Sequence, residues 1–179
     1  MTHRTLLGFG LALALVAAPG HARAAELKVG DAAPEFSMKG SDGKTYTLSD
    51  FKGKKAVVVA WFPKAFTGGC TAECKSFKEL SSSLKDMDVA YFTASTDKVD
   101  ENTKFADSLS VDYPILSDPD KTVANAYGVI NPARGFANRW TFYIDKEGKI
   151  AAIDKMVKPA TSAPDVASKL KTLGIADKK

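Results

Sequence analysis

Ala56-Val57-Val58-Val59-Ala60-Trp61-Phe62 constrains this chain more than any other stretch. The run is apolar at every position, with no alternation of polar and apolar residues. A strand of that kind needs cover on both faces, as in the middle of a sheet with helices on each side. Pro63 cannot continue a hydrogen-bonded ladder and ends the run. Lys64 to Gly69 then lead to Cys70 and a helical pattern, in which Phe77, Leu80 and Leu84 recur at intervals of three and four.

The rest of the chain supplies the elements around that strand. Ser41-Asp42-Gly43-Lys44 is a hairpin turn signal between residues 35–38 and 45–48. Residues 89–94 read as the next strand. Ser95-Thr96-Asp97 offer cap residues for a helix carrying Val99, Phe105 and Leu109. Asp118-Pro119 opens a short helix that Gly128 ends. Residues 140–144 and 149–153 form a second hairpin about the turn Asp145 to Gly148, and residues 163–173 suit a closing amphipathic helix. The order predicts an α/β fold: a central mixed β-sheet flanked by helices on both faces.

Residues 1–24 read as a secretory signal peptide rather than as part of the fold. Arg4 precedes the uncharged apolar run Leu6 to Ala18, and Ala22-Arg23-Ala24 is a small-residue cleavage pattern. The apolar run is shorter than the about 20 residues that a membrane-spanning helix needs. Residues 25–179 then make one domain, exported to the periplasm or beyond, with no membrane attachment after cleavage. Arg4 and Arg23 account for half of the formal net charge of +4. The remaining balance gives no warrant for nucleic-acid binding. Both histidines, His3 and His21, fall in the leader. The domain therefore runs no Ser-His-Asp or Cys-His mechanism.

Cys70 and Cys74 are the two cysteines of the chain. A thiol at Cys70 lies near a helix N-terminus, where the dipole and free N–H groups favour the thiolate. A disulfide between helical residues four apart is a poor structural staple. It closes a very small loop, and helical Cβ atoms at that spacing are about 5–6 Å apart, against about 3.5–4.5 Å in a disulfide. A strained, easily broken bridge suits a catalytic intermediate. Cys74 also fits the plain reading of a small buried helix residue. Lys64, Arg134, Arg139 and the helix N-terminus are the candidate partners for a Cys70 thiolate. Thr67 reads either as a hydroxyl near Cys70 or as a helix cap, and Pro63 either as a shield for the site or as a strand stop.

Pro63-x-x-x-Thr67-x-x-Cys70 resembles the peroxiredoxin active-site motif, and Arg139-Trp140-Thr141-Phe142-Tyr143-Ile144-Asp145 resembles that family's arginine-bearing strand. Ala94 to Asp97, Pro114 to Asp118 and Ala126 to Val129 follow the same family's order of elements. The branch it most resembles is peroxiredoxin Q, or bacterioferritin comigratory protein, from about Val29 to the final helix. The resemblance implies a thioredoxin-like fold and a cofactor-free peroxidase acting on hydrogen peroxide and organic hydroperoxides. It implies Cys70 as peroxidatic thiol, Thr67 and Arg139 as groups that hydrogen-bond the peroxide, Pro63 as a shield from solvent, and Cys74 as candidate resolving thiol. It further implies a thioredoxin-like or small-thiol reductant, with the chain as a monomer or weak homodimer. Two positions depart from that branch: three residues rather than four separate the cysteines, and Gly68 stands where proline is usual.

Two other readings use the same thiols. An exported Sco-like carrier would bind Cu(I) at Cys70 and Cys74, since soft thiolates suit that ion, but such proteins also use a downstream histidine that this chain lacks. A thiol-disulfide carrier would normally have two residues, not three, between its cysteines.

Overall fold

The computed structural model describes residues 26–84 and 86–177, so the leader expected over residues 1–24 lies outside the described residues. Seven strands form one mixed sheet in the order β2-β1-β5-β4-β3-β6-β7. The strands are β1 (Ser37–Gly40), β2 (Thr45–Thr47), β3 (Ala56–Trp61), β4 (Val89–Ser95), β5 (Ile115–Ser117), β6 (Trp140–Ile144) and β7 (Ile150–Asp154). The helices are α1 (Gly68–Lys78), α2 (Leu80–Ser83), α3 (Val99–Leu109), α4 (Thr122–Ala126) and α5 (Ser162–Leu173). Strand β3 runs parallel to β4 and antiparallel to β6. Every residue of β3 is buried, as its unbroken apolar run requires.

The two faces of the sheet are covered unequally. Ala56, Val58, Ala60 and Phe62 pack with residues of α1, α2, α3 and α5. Val57, Val59 and Trp61 pack on the other side with α4, the amino-terminal segment and the 3-10 turn Leu48–Phe51. This is the period-two alternation of a strand, with both faces apolar.

Three local expectations change. The helical pattern after Cys70 divides at Glu79 into α1 and α2. Ser82 donates its hydroxyl to the Glu79 carbonyl at 2.8 Å, the local backbone competition that weakens serine-rich helix interiors. The N-cap of α3 is Lys98, and no side chain caps that helix. Asp97, read as a cap residue, turns away to another loop. Helix α4 begins at Thr122, and Asp118 instead accepts the Ala124 N–H at 2.7 Å.

The buried face of α1 carries Cys70, Glu73, Cys74 and Phe77, at i, i+3, i+4 and i+7. Two thiols and a carboxylate thus occupy the stripe on which the helix packs against the sheet. Phe77, which is 0% exposed and packs on Tyr91 and Tyr113, is its apolar anchor. Phe77→Ala should destabilise the domain by about 3–5 kcal/mol, measured by equilibrium denaturant unfolding.

Candidate active site

The parallel pair β3 and β4 ends at one edge of the sheet, and the loop of residues 62–67 leaves from there. Cys70 lies in the first turn of α1 and is 1% exposed. Arg139 directly precedes β6, whose Trp140 is in register with Trp61 at the end of β3. That register brings the guanidinium over the first turn of α1. Its Nη2 donates to Cys70 Sγ at 3.4 Å, and its Nη1 donates to Glu73 Oε2. Gly69 makes room for the approach, because a Cβ there would stand 3.2 Å from Arg139 Nη2. At Gly68 nothing lies within 4 Å of such a Cβ. The departure from proline there therefore leaves open space.

Of the cationic side chains considered for Cys70, Arg139 is the one bonded to it. Lys64 pairs with Asp97 at 3.1 Å and lies 3.9 Å from Glu101. Arg134 is exposed in the loop before β6. Thr67 is the N-cap of α1, with no side-chain capping bond. Its hydroxyl donates to the Lys64 carbonyl at 3.0 Å, which commits the proton and leaves the oxygen as an acceptor. Pro63 is half-buried at the start of the same loop.

Cys74 lies one turn deeper and is 0% exposed within the core. Its Sγ is 3.9 Å from Thr93 Oγ1, and its carbonyl accepts the Tyr113 hydroxyl at 2.9 Å. Burial pushes the Cys74 thiol up to about 12. In the closed helix it is therefore a protonated, inaccessible sulfur, whereas Cys70 sits beside a cation at the helix end.

Glu73 is the site residue that sequence reasoning missed. It is 0% exposed, and its Oε1 has no hydrogen-bond partner among the described residues. Burial pushes it up to about 7, against the pull of Arg139. Burial also lowers Arg139, but the Glu73 carboxylate and the Cys70 sulfur together hold it above its ordinary value. The available signal was an acid three residues after Cys70, on the same helix face.

No group of three or more metal-ligating His, Cys, Asp or Glu residues forms among the described residues. The cation beside Cys70 and the buried, protonated Cys74 are poorly arranged for a pair of thiolates around Cu(I).

The folded form binds the Glu73 proton more tightly than the unfolded chain, whose value is near 4.5. This contribution to stability is full below about 4.5 and is lost as pH rises to about 7. Glu73→Gln should flatten that part of the stability profile, checked by chemical denaturation across the window.

The AhpC/TSA family model matches residues 29–153. Peroxiredoxin Bcp of Escherichia coli is 35% identical over 130 residues, which cover 69% of this chain and 83% of that protein. The crystal structure of peroxidoxin BcpB from Mycobacterium tuberculosis superposes with a TM-score of 0.75 at 30% identity, covering 82% of this chain and 98% of that one. The bacterioferritin comigratory protein of Xanthomonas campestris gives a TM-score of 0.73 at 26% identity, covering 82% and 96%. These solved structures share the thioredoxin-like fold, and the Sco-like alternative finds no support among the similar proteins. With a thiol at a helix end under an arginine from the neighbouring strand, and with these relatives, the chain belongs to the AhpC/TSA family as a thiol-dependent peroxidase of its peroxiredoxin Q or Bcp branch.

Proposed function

We propose that Cys70 is the peroxidatic thiol of this enzyme. The observation that carries this assignment is the Arg139 guanidinium on Cys70 Sγ at 3.4 Å. A cation hydrogen-bonded to sulfur favours the thiolate, which is the nucleophile. The thiolate attacks one peroxide oxygen, the O–O bond breaks, and the departing oxygen leaves as an alkoxide or hydroxide that takes a proton from solvent. Cys70 becomes a sulfenic acid. Arg139 donates to the oxygen on which charge develops, a task for a donor held in place before reaction. The Thr67 oxygen accepts the O–H of the incoming peroxide, since its own proton is engaged by Lys64. Pro63 limits water at the sulfur. Hydrogen peroxide and organic hydroperoxides both fit this scheme. The Xanthomonas campestris relative is described by its alkyl peroxide reduction activity, which supports the second class.

Cys74 is the resolving thiol in this scheme. Its sulfur attacks the Cys70 sulfenic acid, an S–S bond forms, the S–O bond breaks, and the thiol proton leaves with the hydroxyl as water. The first turn of α1 must open beforehand, because the helical spacing exceeds disulfide reach and the thiol lies sealed in the core. Opening also removes the burial that keeps the Cys74 proton in place. An external dithiol of the thioredoxin kind, or a small thiol, then reduces the bridge by exchange. The enzyme acts as a monomer or weak homodimer.

The leader pattern over residues 1–24 supports export to the periplasm, and the family match begins beyond it at residue 29. The chain recovered from that compartment should begin at Ala25, read by intact mass. Stopped-flow mixing of the reduced enzyme with hydrogen peroxide, followed by thiol counting, tests the chemistry. Rapid loss of both thiols is expected. Cys70→Ser should abolish it, and Cys74→Ser should leave a fast loss of one thiol with a trappable sulfenic acid. A reaction no faster than that of a free cysteine would overturn the assignment.

A further inference from the structure

Asp97 lies beyond the end of β4, where that strand runs parallel to β3 and Ala94 is in register with Trp61. It therefore stands beside the loop that carries Pro63 and Thr67. The residue is 8% exposed, and three donors converge on its carboxylate. The Ala65 N–H donates to Oδ2 at 2.8 Å, the Ser95 hydroxyl donates to Oδ2 at 3.0 Å, and Lys64 Nζ donates to Oδ1 at 3.1 Å. Ser95 is fixed in turn by Asn102, which is 0% exposed and also donates to Ser117 Oγ at 2.8 Å. The carboxylate is thus anchored on β4, β5 and α3 at one end, and grips two consecutive loop residues at the other.

That grip opposes strain. Phe66, the next residue, has φ +60, a left-handed conformation that is costly for a bulky side chain. Its ring leans on Phe105 at 5.0 Å yet remains 56% exposed, so one aromatic contact is a modest restraint. Such a conformation persists only where surrounding contacts over-determine it. On one side is the Ala65 N–H, a buried donor that Asp97 satisfies. On the other is Thr67, whose hydroxyl is tied back to the Lys64 carbonyl. Both ties pass through residues that Asp97 holds.

We propose that Asp97 is a positioning residue for peroxide reduction, clamping Lys64 and Ala65 so that the strained loop presents Thr67 and Pro63 correctly at Cys70. This rests on the reading above that the loop lines the peroxide site. Asp97 touches neither Cys70 nor the substrate. Its work is done as a hydrogen-bond acceptor, which an amide oxygen can reproduce toward Ala65 and Ser95, with exposed Lys64 turning to Glu101 or solvent.

Two rates measured on each chain test this. One is the second-order oxidation of Cys70 by hydrogen peroxide, and the other is alkylation of the same thiol by iodoacetamide, which needs no peroxide-binding loop. Asp97→Ala should slow oxidation by about 10- to 100-fold, the scale of a misplacement near 1 Å, and should lower the melting temperature because the Ala65 N–H is left unpaired, while alkylation of the folded chain stays near that of the parent. Asp97→Asn should restore the oxidation rate to within about threefold, a residual of under 1 kcal/mol. Where the alanine chain fails to fold, Asp97→Glu decides. It keeps the charge but displaces the carboxylate by a methylene, and should slow oxidation by about tenfold. Unchanged oxidation in the folded alanine or glutamate chain, or an equal fall in both rates, would overturn the clamp. A parent enzyme that fails to react with peroxide would overturn the functional reading instead.

Discussion

A single guanidinium organises the buried end of α1. Arg139 reaches over the helix from the neighbouring strand and bonds both the Glu73 carboxylate and the Cys70 sulfur. An acid with no solvent exposure is costly to ionise alone, and an opposite charge with directed donors offsets that cost. The planar fork of arginine can serve a carboxylate and a sulfur together, which the single ammonium of a lysine does less well. Helix α1 can therefore pack a stripe of two thiols, a carboxylate and a phenyl ring against an apolar sheet. Without the arginine, burial would hold the Glu73 carboxyl still more firmly in its protonated form, with no partner for its oxygens.

The fold delivers this arginine by strand pairing. Strand β3 has β4 parallel on one side and β6 antiparallel on the other. The parallel neighbour ends at the same edge and contributes Asp97 to the loop. The antiparallel neighbour begins at that edge and contributes Arg139. The thiol enters on the helix that follows β3 itself. Three segments far apart in sequence meet where the apolar run stops, and Pro63 marks that point.

Much of this was legible in the sequence. The run from Ala56 to Phe62 read as a central strand from its unbroken apolar pattern, and the mixed sheet followed from the alternation around it. Strand β5 is three residues long and too short to show a period. Cys70, Thr67 and Arg139 were readable because a known pattern joins them. Glu73 was not, since an acid within a helix ordinarily reads as a solvated charge, and its burial depends on a residue 66 positions away. Asp97 carried the chemistry of a helix cap, but a loop amide 32 positions away competes for its carboxylate and wins. In both cases a tertiary partner reassigned a polar side chain that local rules had already placed.

If Cys74 resolves the sulfenic acid as proposed, its position links turnover to the integrity of the domain. Its sulfur belongs to the same core as Phe77 and Leu80, so in the proposed cycle each reaction disturbs the edge of what holds the protein together. A stiffer first turn would make a sturdier fold and a slower enzyme. The paired glycines at the head of α1 suit that compromise. Gly69 yields space to the arginine, while Gly68, with room for a side chain but none present, lowers the helix propensity of a first turn that the Thr71 N–H closes on the Thr67 carbonyl at 2.8 Å. Durability and throughput thus set opposing demands on the same few residues.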